Sequence, residues 1–251
     1  DLASKLHKGY DFILDSGTAG DGNGRDANAA DPGDWTNADE CNTGESAANS
    51  SWHGTQVSGL VAAAGDNGIG MAGTGGRVMV LPVRVLGRCG GYDSDIIAGM
   101  RWAAGVSSSP VVNPNPAKVI NVSLGSQGDC SFSYQDLTVE LSAAKVTVVA
   151  AAGNDIGLAV GVPANCPGVI AVAGLRHDGT KAGYSSLGPE AAIAAPAGNC
   201  VNAHGLCLYP LLTTTNTGDT DPAENTYSDG YNASLGTSFA SPIVAGTVAL
   251  M

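Results

Sequence analysis

Cationic side chains, aromatic rings and long apolar runs are all scarce in this chain of 251 residues. It has 11 Lys and Arg against 23 Asp and Glu, a formal net charge of −12, and so acidic a protein repels nucleic acid and anionic membrane surfaces. No apolar run approaches the roughly 20 residues that a membrane-spanning helix needs. No basic segment followed by an apolar one marks a signal peptide. We therefore expect neither nucleic acid nor membrane as a partner.

Several short motifs of enzymes and metal sites are also missing. The sequence has no Cys-x-x-Cys pair, which argues against a zinc site, and neither Gly-x-Ser-x-Gly nor His-Glu-x-x-His occurs. The six cysteines are instead spread along a glycine-rich chain, a pattern that suits a secreted protein with disulfides. We predict the pairs Cys41–Cys89, Cys130–Cys166 and Cys200–Cys207, although many pairings are possible and only the last has local support.

Hydrophobic periodicity predicts alternating strands and helices. Strands are predicted over residues 10–14, 78–85, 119–124, 146–152 and 169–173, and helices over residues 52–64, 93–104 and 134–145. This alternation indicates a mostly parallel sheet with right-handed crossovers, hence a three-layer α/β/α fold. Residues 15–51 are expected to form a long loop and residues 196–233 an irregular surface. We see one domain, residues 1–251, which is long enough for a sizeable core.

The stretch over residues 232–251 places a serine at the predicted start of a helix. Ser238 follows the small residues Gly236 and Thr237, and Pro242 falls in the first helical turn, where a missing N–H costs little. A serine there offers a nucleophilic hydroxyl and a backbone N–H that is unpaired at the helix N-terminus. Taken alone, Ser238 could equally be a helix cap.

Three motifs together give these residues a chemical meaning. Gly-Thr-Ser-Phe-Ala-Ser-Pro (residues 236–242) with the following Val-Ala-Gly resembles the serine signature of the subtilisin-like proteases. His-Gly-Thr-Gln-Val-Ser-Gly (residues 53–59) resembles their histidine signature, with departures at Gln56 and Ser58, and Ala-Ala-Gly-Asn (residues 151–154) resembles their oxyanion motif. The resemblance implies Ser238 as nucleophile, His53 as general base and Asn154 as oxyanion donor. The other histidines, His7, His177 and His204, are expected at the surface.

Two further stretches resemble the substrate-binding segments of this family. They are Asn-Val-Ser-Leu-Gly (residues 121–125) and Val-Arg-Val-Leu-Gly (residues 83–87) with Gly-Gly-Tyr (residues 90–92). The resemblance implies pocket walls and a substrate-pairing edge strand made by Ser123, Leu124, Gly125, Gly90, Gly91, Tyr92, Ala152, Gly153 and Gly161. A roomy, uncharged pocket predicts preference for large apolar side chains before the cut bond. Val162–Pro163 is by the same resemblance a candidate cis peptide.

The position of the triad carboxylate is open. Ile-Leu-Asp-Ser-Gly (residues 13–17) imitates the aspartate signature of the family, which would make Asp15 the triad member. Asp1-Leu2 followed by Gly-Tyr-Asp-Phe (residues 9–12) fits better a stretch that follows this strand in the family. On that registration the aspartate and its strand lie before residue 1, and further elements lie beyond Met251. A catalytically inactive fragment that acts as a binding or scaffold module is then the alternative to an active enzyme.

The same registration implies a structural calcium site. Its ligands would be the side chains of Asp1 and Asn67 and the carbonyl groups of Gly65, Ile69 and Met71, an oxygen-only set that suits Ca²⁺. A second acidic cluster, with Asp15, Asp21, Asp26, Asp31 and Asp34, is either a calcium loop or a solvated loop. A calcium-binding adhesive protein would explain the acidic start, but it would leave the other motifs unexplained. We therefore expect a secreted, monomeric serine endopeptidase that acts on proteins or peptides.

Overall fold

The computed structural model describes residues 1–107, 111–200, 207–229 and 234–251. Asn232 and His204 lie outside these ranges. Along the chain the strands are β1 (Tyr10–Asp11), β2 (Val83–Arg84), β3 (Val119–Val122), β4 (Thr147–Ala151), β5 (Val169–Leu175), β6 (Ala191–Pro196), β7 (Thr214–Asn216) and β8 (Asn225–Tyr227). The α-helices are α1 (Ser16–Ala19), α2 (His53–Ala62), α3 (Asp93–Ala104), α4 (Phe132–Ala143) and α5 (Thr237–Val248), and a 3-10 turn covers Ala3–Lys5.

The centre of the fold is a parallel sheet in the order β3-β4-β5-β6. Alternate residues of β4 serve opposite faces, since Val148 packs with the α3 and α4 side while Val149 packs with Ala240 and Val244 of α5. Side chains alternate between the faces of a strand, so a strand that is apolar throughout must be covered on both sides. The predicted three-layer α/β/α architecture is confirmed.

Capping residues mark where the helices begin and end. Helix α3 covers the predicted residues and stops at Gly105, whose left-handed backbone (φ 73°) closes the last turn. Helix α4 begins after Ser131, whose hydroxyl accepts a hydrogen bond from the Tyr134 N–H. In the predicted loop over residues 15–51, Asp15 similarly caps the short helix α1.

A separate parallel pair, β1 with β2, lies beside the main sheet. The predicted strand over residues 78–85 is reduced to Val83–Arg84 and a single bridge between Val80 and Leu6. Pro82 has no N–H to donate, which limits regular pairing around it. In the described structure β2 and β3 each have one neighbouring strand, so both are edge strands.

The prediction that residues 196–233 are irregular was wrong in part. Strands β7 and β8 form an antiparallel pair whose first strand is buried. Two threonine hydroxyls fix β7 to α2, because Thr213 donates to the Gln56 carbonyl and Thr214 to the Thr55 carbonyl. These partners are distant in sequence, so turn-rich composition around a short strand could not reveal them.

Three disulfides, Cys41–Cys89, Cys130–Cys166 and Cys200–Cys207, match the predicted pairs. The Val162–Pro163 peptide is cis. Among the described residues, no helix has both the length and the apolar character needed to cross a membrane.

Candidate active site

Helix α5 begins beside the carboxyl ends of the central strands, where open parallel sheets place ligand-binding groups. Its N-cap, Gly236, has φ 141° and ψ 160°, a conformation that favours glycine. Ser238 in the first turn is half-buried. Its carbonyl accepts a 2.6 Å hydrogen bond from the Ser123 hydroxyl, which ties the helix start to the end of β3.

Asn154 lies at the same helix N-terminus. Its Oδ1 accepts from the backbone N–H of Thr237 at 2.9 Å and from the Thr237 hydroxyl at 3.1 Å. The Thr237 Oγ1 also accepts from the Gly153 N–H at 3.1 Å. With its oxygen held in this way, the exposed amide of Asn154 can present its Nδ2 donor to a ligand beside Ser238.

His53 opens helix α2 and reaches α5 through its ring. The imidazole and the Phe239 ring pack in a T-shaped arrangement, with ring centroids 5.5 Å apart. His53 therefore lies close to the start of α5, where Ser238 precedes Phe239. Gln56, one turn further on, is buried; its side chain donates to Thr215 and accepts from Ser234. Gln56, which departs from the family signature, therefore has hydrogen-bond partners of its own in the structure.

Two opposing effects act on the His53 imidazole. Burial lowers its pKa, and the nearby carboxylate of Asp34 raises it. Among the described residues, no carboxylate forms a hydrogen bond with the His53 ring. Asp15 is exposed and its carboxylate accepts from the backbone and side chain of Thr18, which hold the pKa of Asp15 below its usual range.

The predicted pocket segments come together in three layers. Ser126, just after Gly125, exchanges backbone hydrogen bonds with Val162, and the Gly161 N–H donates to the Ala152 carbonyl at 3.0 Å. A Cβ atom at Gly161 would collide with the Ser126 carbonyl, and one at Gly125 would collide with the Val162 carbonyl. The absence of side chains at Gly161 and Gly125 lets these backbone segments approach closely.

One charged group lies next to this pocket. The Asp155 carboxylate, which accepts from the Ser186 hydroxyl at 3.2 Å, is 3.0 Å from where a Cβ of Gly153 would stand. Sequence reasoning did not single out Asp155.

The predicted substrate edge follows β2. The Gly87 N–H donates to the Gly90 carbonyl at 2.8 Å, and Gly91 packs against the Val85 carbonyl. Tyr92 precedes α3 and is 59% exposed, which leaves its ring free to contact a ligand.

Two of the predicted calcium ligands, Asp1 and Asn67, are in contact. The Asp1 carboxylate accepts from Asn67 Nδ2 at 2.8 Å, from the Met71 N–H at 3.2 Å and from the Tyr227 hydroxyl at 2.7 Å. Carboxylate, amide and carbonyl oxygens fit the preference of Ca²⁺. The described residues contain no cluster of three or more His, Cys, Asp or Glu arranged for a metal.

Besides Asp155, sequence reasoning missed Thr237, Ser51 and the contact of Asp34 with Ser51. Thr237 stands inside the serine motif, so its position was visible but its contact with Asn154 was not. Asp34 and Ser51 are 17 residues apart, and no local pattern joins them.

Comparisons with known proteins give the family of the chain. The Subtilase family (peptidase S8) matches residues 2–251. The chain is 49% identical over 253 residues to an extracellular protease of Xanthomonas campestris pv. campestris, covering 100% of this chain and 41% of that protein. It is 39% identical over 257 residues to an extracellular basic protease of Dichelobacter nodosus, covering 100% of this chain and 40% of that protein.

A solved structure is similar over the whole chain. A protease from Pseudoalteromonas arctica superposes with a TM-score of 0.94 at 45% identity, covering 100% of this chain and 72% of that one. The chain spans about two fifths of the length of the two curated relatives above. With its family match, its relatives and its fold in agreement, the chain belongs to the subtilase family of serine proteases.

Proposed function

We propose that residues 1–251 form the catalytic domain of a secreted serine endopeptidase. The observation that carries this is the anchoring of Asn154 by Thr237 at the N-terminus of α5, next to Ser238 and within reach of the His53 helix. The two relatives named as extracellular proteases support secretion.

The reaction proceeds through an acyl-enzyme. The Ser238 hydroxyl attacks the scissile carbonyl carbon as His53 takes its proton, and the negative oxygen accepts hydrogen bonds from Asn154 Nδ2 and the Ser238 N–H. His53 then gives the proton to the leaving amine as the C–N bond breaks. Water, deprotonated by His53, then attacks the ester carbonyl; the bond between the acyl carbon and the Ser238 oxygen breaks, the acid leaves, and His53 returns the proton to Ser238.

A groove supports the proposal that the triad carboxylate comes on an additional strand. The groove has a volume of about 1060 Å³ and is lined on one side by the β2 edge, including Val83, and on the other by the β3 edge, including Val119; His53 lies in the same lining. The carbonyls of Pro82 and Arg84 accept hydrogen bonds from the β1 side. Because backbone groups alternate in direction along a strand, those of Val83 point to the groove. Two facing edges of unpaired backbone fit one extended parallel segment.

The occupant we propose is an apolar strand that ends in aspartate beside His53. A buried carboxylate there would hold the imidazole tautomer and stabilise the imidazolium. Asp15, the alternative, has its carboxylate bonded to Thr18 on the outside of α1.

Fluorophosphonate labelling of Ser238 tests both proposals at once. The chain is incubated alone, with a peptide of six apolar residues followed by Asp-Ser-Gly, and with the matched peptide that has Asn for Asp; Ser238→Ala is the control for labelling at that residue. We expect both peptides to bind but only the aspartate peptide to speed labelling, by about 10⁴ as for other triad carboxylates.

The other outcomes separate the two proposals. Binding of both peptides with no labelling would leave the groove occupied but the endopeptidase proposal wrong, in favour of a catalytically inactive binding module. Failure of both peptides to bind would contradict the strand. Fast labelling of the chain alone that Asp15→Asn abolishes would assign the triad to Asp15.

For substrates we propose peptides and proteins with a large apolar residue before the cut bond. Backbone walls at Gly125 and Gly153 and a base at Gly161 make a slot without side chains. A peptide library that favours Arg or Lys there would contradict this and would point to Asp155, which Asp155→Asn would test.

We further propose that the Asp1 loop holds a structural Ca²⁺. Asp1, Asn67 and the carbonyls of Gly65, Ile69 and Met71 would supply oxygen ligands, and the ion would neutralise Asp1 and stiffen the loop. Chelator is expected to lower the melting temperature of the wild type and to leave that of Asp1→Ala unchanged. Equal melting with and without chelator would refute the site.

A further inference from the structure

The residue before His53 has an unusual backbone. Trp52 lies in the left-handed region, with φ 51° and ψ 27°. Bulky residues rarely adopt this conformation, and they do so where surrounding contacts hold them. The contacts of residues 49–52, which we call the lead-in segment, therefore determine how His53 enters its helix.

One side of the lead-in segment is held by a single carboxylate. The Ser51 N–H donates to Asp34 Oδ1 at 2.6 Å, and the Ser51 hydroxyl donates to Asp34 Oδ2, also at 2.6 Å. The same hydroxyl oxygen accepts from the His53 N–H at 3.3 Å. A chain of hydrogen bonds thus runs from Asp34 through Ser51 to the backbone of His53.

The other side is held by the loop before β8. Asn49 Nδ2 donates to Asp219 Oδ1 at 2.7 Å, and the Ser50 N–H donates to the Asp219 carbonyl, also at 2.7 Å. The Trp52 indole N–H donates to the Gly218 carbonyl at 2.8 Å. These contacts fix the buried Trp52 side chain but do not bond to Asp34.

The charged groups around His53 single out Asp34. Asp34 raises the pKa of the imidazole. Asp31 lines the same cleft, but its carboxylate accepts from the Gly33 N–H and it is not a source of the shift. Arg84, also in the lining, is paired with Asp11, and α5 presents to His53 the uncharged ring of Phe239.

We propose that Asp34 is a positioning residue for His53, which fixes the lead-in segment through its two hydrogen bonds with Ser51. This assigns to Asp34 a task separate from that of a triad carboxylate, because Asp34 reaches the backbone of His53 through Ser51. The role in catalysis rests on the proposed function, whereas the positioning itself does not.

The test is therefore a measurement on His53 that needs no activity. The imidazole is titrated by NMR in the wild type and in Asp34→Asn, Ser51→Ala and Asp31→Asn, with His7 and His177 as internal references. Hydrogen exchange of the Ser51 and His53 amides is followed in the same samples. Asp31→Asn is the matched control, since it removes an equal charge from the same cleft without touching Ser51.

In Asp34→Asn we expect the His53 titration midpoint to fall and the Ser51 and His53 amides to exchange at least about tenfold faster, as for a lost hydrogen bond to a charged group. Ser51→Ala should speed exchange at His53 and keep the midpoint, because the charge remains. Asp31→Asn should change neither.

An unchanged midpoint in Asp34→Asn, or an equal fall in Asp31→Asn, would overturn the charge effect. Unchanged exchange in Asp34→Asn would overturn the positioning. Absence of proteolysis in the presence of the aspartate peptide, together with the expected shifts, would contradict the proposed function and leave this inference standing.

Discussion

Asn154 has two ends of its amide with different tasks in the proposed mechanism. Its oxygen is bonded to Thr237, and its nitrogen would serve a ligand. The orientation of a side-chain amide follows from its hydrogen-bond partners, so the two donors of Thr237 decide which end faces Ser238.

Thr237→Val should impair the transition state more than substrate binding. The change keeps the shape of a fully buried residue and removes one of two anchors of Asn154. We expect kcat to fall roughly tenfold with little change in KM, less than the roughly 10²–10³ of a lost oxyanion donor in Asn154→Ala. Steady-state kinetics of the peptide-complemented protein would measure this, with melting curves as the control for folding. A rise in KM with unchanged kcat would show that Thr237 acts on substrate binding instead.

His53 should make the fold sensitive to acid. Burial lowers its pKa below the ordinary value, so below about pH 6.5 the unfolded chain binds a proton that the folded chain resists. The free energy of unfolding should therefore decrease as pH falls from about 6.5 to the lowered folded pKa. Denaturant unfolding from pH 7.5 to 5 would show a smaller decrease in His53→Gln. An identical pH dependence in both proteins would contradict the prediction.

At the scale of elements, disulfides hold the loops that flank the site. Cys41–Cys89 joins the acidic loop to the proposed substrate edge, and Cys130–Cys166 joins the start of α4 to the segment after Gly161. Each bond restricts the unfolded chain in proportion to the logarithm of the loop that it closes.

Removing these bonds by paired Cys→Ser changes should have graded effects. Loops of 48 and 7 residues, for Cys41–Cys89 and Cys200–Cys207, predict losses of about 4 and about 2 kcal/mol. Denaturant unfolding of the two double variants would measure both losses. A larger loss for the shorter loop would contradict the loop-entropy argument.

At the scale of the molecule, the sheet is divided. The four-stranded sheet ends at β3 and the two-stranded pair ends at β2, with the groove between them. Edge strands have open backbone groups, whereas β4 and β5 are paired on both sides.

Hydrogen exchange should therefore differ across the sheet. The amides of Val119 and Asn121 face the groove, whereas the residues on either side of them bond to β4. The amides of Val119 and Asn121 should therefore exchange at least about a hundredfold faster than those of Val149 and Val172. The groove-binding peptide should slow Val119 and Asn121 and leave Val149 unchanged. Slow exchange at Val119 without peptide would show that its edge is already covered.

Local patterns were enough to predict most of the architecture. Helix α3 has its predicted bounds because an apolar stripe runs along one face, and β4 lies within its predicted range because every residue in it is small or apolar. The edge strand β6 of the central sheet was not predicted. The short strands β1, β2, β7 and β8 were misjudged or missed, since two or three residues of strand depend on a neighbour rather than on their own pattern.

The sequence by itself determined the family and the parallel sheet, and it predicted Ser238, His53 and Asn154 as site residues, because each lies in a contiguous motif or a periodic run. Tertiary structure alone decided the partners of those residues. Thr237 orients Asn154 across 83 residues of chain, and Asp34 reaches the backbone of His53 through Ser51. Such contacts depend on how separate loops meet over the sheet, and no local propensity encodes where two loops meet.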